Sequence, residues 1–425
     1  MSASARPGEG PSTTRRRRGL GGSALLVAVA LVLAGCAGGT TEVADPAAAT
    51  QTQSDEAKPE PTAEPVAASG TKSAHEDSHA NAKPAKQVPL RPGERRATLK
   101  MPADYTAAAP YGKGTDDYRC FLLDPRLDEP AWLTGTHVLP GNPAVVHHVI
   151  LFQVAPEQVK AAKAKDRSED GEGWTCFGGT GLDQFQNVDD ASWIGAWAPG
   201  GKESVTKPGY GVRLEKGARV VMQVHYNLLA GAEPDVSAAQ LRLAPGDAPL
   251  QSLHTMLLPA PVELPCRAKH ADGPLCDRAV ALADVKERFG AEGNTADVLY
   301  FLCGGKPRAG ERQSCTRTVH QPMTIHGVAA HMHLLGREIK IEVNPGTPRA
   351  RTILDIAVWD FDDQGGRPID PVRVEATDTV KVSCRHVQWL RDELPAFEGQ
   401  PDRYVVWGEG TTDEMCLGML QVTRP

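Results

Sequence analysis

The sequence predicts an all-β chain of sandwich architecture with a small helical insertion, and three observations lead there. Glycine (42) and proline (34) are abundant in 425 residues, while long helical periodicities are scarce, a balance that favours short strands joined by turns. Runs of β-branched and aromatic residues recur between Gly, Pro, Asn and Asp, at 219–227, 339–343 after Gly336, 379–384 and 404–407. Several alternate with period two, as a strand with one face in a core requires. The length also exceeds what one hydrophobic core usually organises, so two folded units plus additional segments are expected.

The first of those segments is the N-terminus. Arginines at 15–18 precede an apolar, small-residue run at 20–34, and Leu33-Ala34-Gly35-Cys36 has the form of a bacterial lipobox, in which the cysteine is lipidated. The run falls short of the roughly 20 residues that span a bilayer. Residues 1–36 are therefore expected to be a lipoprotein signal peptide, with Cys36 anchoring the chain to the bacterial envelope, facing the periplasm or the exterior. Residues 37–97 hold almost no aromatic or β-branched core material and read as a disordered tether, in which His75 and His79 are solvated bystanders. Residues 98–250 and 251–425 form the two expected sandwich domains. A net charge of −7 provides no large basic field, which argues against a nucleic-acid partner.

Eight cysteines remain: Cys120, Cys176, Cys266, Cys276, Cys303, Cys315, Cys384 and Cys416. An even set in an exported chain is expected to pair, and none of the spacings is that of a zinc knuckle. Spacing leaves the connectivity open. Within the stretch 266–315, Asp277 can cap a helix carrying Val280, Leu282, Val285 and Phe289, and Gly290 can end it. This stretch is the expected helical insertion in the second domain.

The chemistry rests on His147-His148, His225, His331-x-His333 and Met415. His331 and His333, one residue apart on an extended segment, leave the same face and can converge on one ion. His147 and His148 are adjacent, so a shared metal requires a bend, a bulge or use of the nearer ring nitrogen, and Pro143 just upstream favours an irregularity at the strand edge. His225 supplies a third imidazole from another strand. Met415 lies in the polar, turn-like stretch 410–416, an odd place for a core-filling methionine, and a thioether is a soft ligand that favours Cu(I). Each residue alone is ordinarily structural; their joint occurrence points to two metal sites.

Four motifs carry a resemblance: His147-His148-Val149-Ile150-Leu151-Phe152, Gln223-Val224-His225-Tyr226, His331-Met332-His333-Leu334-Leu335-Gly336 and Asp413-Glu414-Met415-Cys416. With Tyr118-Arg119-Cys120 and Ala196-Trp197-Ala198-Pro199-Gly200, they resemble, in order, the ligand motifs of the ascorbate-dependent type II copper monooxygenases. That is the family of peptidylglycine α-hydroxylating monooxygenase and dopamine β-monooxygenase. The resemblance spans about residues 98 to 425.

It implies two tandem antiparallel, jelly-roll-like sandwiches, each contributing one copper site to a solvent-filled cleft. His147, His148 and His225 would hold the electron-transfer copper, with Gln223 nearby. His331, His333 and Met415 would hold the copper at which dioxygen and substrate react. It also implies the disulfides Cys120–Cys176 and Cys384–Cys416, and leaves Cys315 to pair with Cys266, Cys276 or Cys303. The implied activity is hydroxylation of a C–H bond of a small organic substrate with dioxygen and an external reductant, either ascorbate or a quinol or small redox protein. Where peptidylglycine enzymes clamp a substrate carboxylate with Arg, Asn and Tyr, this chain has Ala329, Leu417 and Met419, which argues against peptide carboxylates. The alternative reading is a non-catalytic copper-handling lipoprotein, but storage would need only one accessible soft site, whereas both ligand sets are complete.

Overall fold

Strand alternation sorts the chain into antiparallel sheets, in a computed structural model that describes residues 87–425 apart from 183–186, 291–293 and 362. The expected signal peptide with Cys36, and His75 and His79, lie outside the described residues. The all-β expectation holds among those described: five sheets, with only short helices between strands. No described helix is long and apolar enough to cross a membrane.

Two sheets come from the first half. One orders Arg95–Lys100, Ala238–Pro245, Ala131–Leu139, Tyr210–Leu214 and Gln251–Ser252, with Ser204–Val205 paired beside Ala131–Leu139. The other orders Trp174–Thr175, Asp116–Leu123, Arg219–Asn227, Val146–Val154 and Trp193–Trp197. Leu133, Leu241 and Leu243 of the first meet Phe121, Val149, Leu151, Val220, Met222 and Val224 of the second in one core. Each such side chain, fully buried, contributes about 1.5–3 kcal/mol of transfer free energy.

The second half repeats the plan. His254–Pro259, Leu417–Thr423, Met323–His331 and Arg367–Val374 form one four-stranded sheet, and Arg312–Thr318, Thr379–His386, Gly336–Val343 and Arg351–Ile356 the other. Between them Ile325, Val328, Leu420 and Val422 pack with Ile339, Ile341, Val380 and Val382. Both halves lie in a single compact unit.

Folded structure starts earlier than residue 98. Arg95, Arg96 and Ala97 already pair with Leu243, Arg242 and Leu241, because an edge strand needs only a ladder on one side and Arg96 finds Glu203 at 2.8 Å. The expected strand at 404–407 is shorter, Val405–Val406 paired with Glu263–Leu264, and the Tyr404 hydroxyl donates to the buried Glu263 carboxylate at 2.8 Å. The expected helix forms at Arg278–Phe289: the Asp277 carboxylate accepts from the Ala279 and Val280 amides, and Gly290 ends it at φ 64°. Its buried face is Ala281, Leu282, Val285 and Phe289, whereas Val280 is exposed. Two further helices, Val159–Asp166 and Thr295–Cys303, were not foreseen from the sequence.

The disulfides are Cys120–Cys176, Cys266–Cys276, Cys303–Cys315 and Cys384–Cys416. Closing the 56-residue separation of the first removes chain entropy equivalent to about 4 kcal/mol in the loop-closure view.

Candidate metal centre

His225 reaches the site because of strand periodicity. In Arg219–Asn227, Val220, Met222, Val224 and Tyr226 fill the first-half core, so Gln223 and His225 project from the other face. In the neighbouring strand Val146–Val154, Val146 pairs with Tyr226 and His148 with His225, leaving His147 as an extra residue in a bulge. That bulge lets two adjacent imidazoles turn the same way, which a regular strand forbids.

The three Nδ1 atoms converge: His147 to His225 at 3.0 Å, His147 to His148 at 3.2 Å and His148 to His225 at 3.3 Å. Imidazole nitrogens bind first-row ions at about 2.0–2.1 Å, so two around one ion at near-tetrahedral angles are about 3.3 Å apart. The triangle fits one metal ion. On its far side, His225 Nε2 lies 2.9 Å from Asp116 Oδ1. Nε2–H therefore donates to the carboxylate and Nδ1 presents a lone pair to the centre, the carboxylate–histidine arrangement that raises ligand basicity.

Electrostatics favour the same protonation states. Burial, and then the neighbouring imidazole of His225, hold His147 and His148 well below the ordinary histidine range, and burial also lowers His225. Burial alone would raise Asp116, but the hydrogen bond from His225 and those from the Thr411 amide and hydroxyl (3.0 and 2.7 Å) overcome it and keep the carboxylate ionised. Tyr118 stacks on His225 with centroids 4.0 Å apart and planes at 11°. Gln223 shares the face of His225; its Nε2–H donates to Gly179 O at 3.0 Å, while its Oε1 is buried without a hydrogen-bond partner.

The second group forms where Met323–His331 ends. His331 pairs opposite Leu417 in the sheet; Met415, two residues before Leu417, is buried and, against the expectation for this polar stretch, belongs to the second-half hydrophobic core. His333 is fully buried; its Nδ1–H donates to Asp413 O at 3.2 Å, and its Nε2 is buried without a partner. The Nδ1–H of His331 donates to Gln364 Oε1, leaving Nε2 free to accept. Burial and then His333 push His331 down to about 3. Glu414, fully buried, accepts from the His333, Leu335 and Met415 amides. Burial would raise its carboxyl, but His386 holds it low, so the 413–415 backbone is clamped against the His331–His333 turn. Arg288, from the helical insertion, grips Asp413 with two hydrogen bonds of 2.7 and 2.8 Å.

The two groups touch. The rings of His148 and His331 lie edge to face with centroids 5.9 Å apart, so here they meet directly and do not face each other across the expected solvent-filled cleft. One segment reaches both groups: Phe361 stacks on His147 with centroids 5.1 Å apart, and Gln364 accepts from His331.

Structure thus brings together all five expected histidines, with the Met415 backbone beside the second group. Sequence reasoning missed Asp116, Thr411, Phe361, Gln364 and Arg288. Only Asp116 left a signal, as one of two consecutive aspartates opening a strand that also carries Cys120.

No family profile and no curated protein matches the chain. Among solved structures, it is similar to a Paenibacillus xanthan lyase at 11% identity and a TM-score of 0.18, covering 80% of this chain and 27% of that one, so it spans about a quarter of the lyase. It is similar to an allantoicase at 11% identity and a TM-score of 0.17, covering 74% and 90%, and to a Brassica napus procruciferin at 12% and 0.16, covering 83% and 87%. Likeness at that level carries no argument about fold or function.

Proposed function

We propose that the chain is a copper-dependent monooxygenase that hydroxylates a C–H bond of a small, neutral organic substrate with dioxygen and an external reductant. The observation that carries this reading is the donor set. Three imidazoles converge within 3.0–3.3 Å, and in contact with them stand two more, each donating Nδ1–H elsewhere, beside a methionine segment. His147, His148 and His225 would hold one copper; His331, His333 and Met415 would hold the other. An imidazole–thioether set suits Cu(I). Bound copper would supply dioxygen activation at the methionine site and the second electron from the three-histidine site.

The protein's own part is orientation and protonation. Asp116, Asp413 and Gln364 take the N–H of His225, His333 and His331, so each ring presents its other nitrogen. Near the second group, Ala329 pairs opposite Met419, and Leu417 opposite His331, and the cation beside Ala329, Arg367, already faces the Asp363 carboxylate at 3.7 Å. Burying an unpaired carboxylate there would cost several kcal/mol, which favours neutral substrates such as arylalkyl compounds over glycine-extended peptides. The four disulfides fit an oxidising compartment, in keeping with a chain anchored through Cys36 at the envelope and fed by ascorbate, a quinol or a small redox protein.

Oxygen uptake by the copper-loaded protein, measured over panels of reductants and substrates, tests the activity. The expected result is substrate-dependent uptake with a hydroxylated product from a neutral arylalkyl compound. Peptidylglycine turnover at a comparable rate would contradict the substrate class. Two bound coppers without substrate-dependent uptake would support the copper-handling alternative.

A further inference from the structure

We infer that the described residues 357–361 and 363–366 form a positioning strap that sets both histidine groups at once, Gln364 fixing the ring of His331 and Phe361 the ring of His147. The segment leaves Arg351–Ile356 in one second-half sheet and enters Arg367–Val374 in the other. Pairing sets Arg367 opposite Val328, three residues before His331, so the crossover passes the end of the strand that carries the second group. It runs over Ala329: a Cβ at Gly366 would lie 4.0 Å from that of Ala329. The small residue at 329 therefore leaves room for the strap on the side where the resemblance expects an arginine.

The contacts are directional. Gln364 Oε1 accepts from His331 Nδ1–H, which fixes the tautomer and turns Nε2 toward the site. Gln364 Nε2 donates to Phe361 O at 2.7 Å, so the amide cannot flip without losing one bond, and the two contacts are mechanically joined. His147 Nε2 is buried without a hydrogen-bond partner, so the near-parallel stacking of Phe361, at 28°, stands in for the kind of hydrogen bond that orients His225, His331 and His333. A loop of one sandwich thereby registers an imidazole of the other.

The proposal rests on the two-copper reading, and the test separates them. Full-length Gln364→Leu, Gln364→Glu and Phe361→Ala are loaded with copper, Cu(I) affinity is read by competition with a chromogenic chelator, and the oxidised forms are examined by EPR. Gln364→Leu should weaken one of two Cu(I) sites about 10–100-fold, the usual cost of losing an outer partner of a ligand histidine. Gln364→Glu, which keeps the acceptor, should restore it. Phe361→Ala should keep both coppers but shift the hyperfine splitting of the three-histidine copper. Wild-type affinity in Gln364→Leu together with an unchanged Phe361→Ala spectrum overturns the strap while the two-copper reading stands. If Gln364→Leu does not fold, the Phe361→Ala spectrum alone decides. A wild type binding fewer than two coppers overturns both.

Discussion

A neutral imidazole offers a metal only the nitrogen that is not already donating, so hydrogen-bond partners on the far side of each ring decide what the histidines can do. For His225 that partner is Asp116, whose Oδ1 accepts from His225 and twice from Thr411. Asp116→Asn removes the charge that makes Nδ1 more basic and should weaken the three-histidine copper about 10–100-fold with little change at the other; chelator competition measures it. For Met415, a weak soft ligand, Met415→Ile should keep the fold, weaken Cu(I) at the second group and abolish turnover. Absence of a Cu–S component in X-ray absorption of the reduced wild type would leave Met415 as packing alone. The histidines were legible because type and spacing announce them, and three of them, His147, His148 and His225, form a group that could hold a metal ion. Phe361 and Gln364 were not, since nothing in a Phe or Gln near a Gly-Gly pair distinguishes a partner of a ligand from an ordinary loop residue.

At the scale of elements, the bulge at His147 and the helical insertion do most to shape the site. Strand geometry asked of His147-His148 a bend, a bulge or use of the nearer ring nitrogen, and the register shift and the converging Nδ1 atoms are both there. The insertion was legible as a helix through its cap and Gly290, but its purpose was not: Arg288 lies at its end, 125 residues from Asp413 in sequence, and bonds it in the fold. Burial would raise Asp413, and Arg288 chiefly offsets this. Arg288→Met should leave a buried carboxylate poorly paired and destabilise the chain by on the order of 3 kcal/mol in chemical denaturation. Farther away, Arg267 above all, with help from His270, pulls Asp402 down from its ordinary 3.8 to about 2. The folded value lies below the unfolded one, so this stabilisation is present above about pH 4 and is lost as pH falls toward 2. The melting temperature should drop across that window, and by less in Asp402→Asn.

At the scale of the molecule, named strands pair within 95–252 or within 254–423, and the site depends on how these halves meet. Thr411 donates to Asp116, the Tyr118 hydroxyl donates to Glu409 O at 2.7 Å, and Tyr118 and Phe177 join the second-half core. The all-β class was legible from the strand pattern, but not that His148 and His331 would touch, because contact between distant strands has no signature in local periodicity. The central claim is that these two touching groups are two copper sites. Its most direct measurement is elemental analysis of the folded chain after copper loading and removal of loosely held metal, with His225→Ala in parallel. The account predicts two coppers per wild-type chain and one in the variant; a single tightly held metal in the wild type, or zinc taken up in preference to copper, would contradict it.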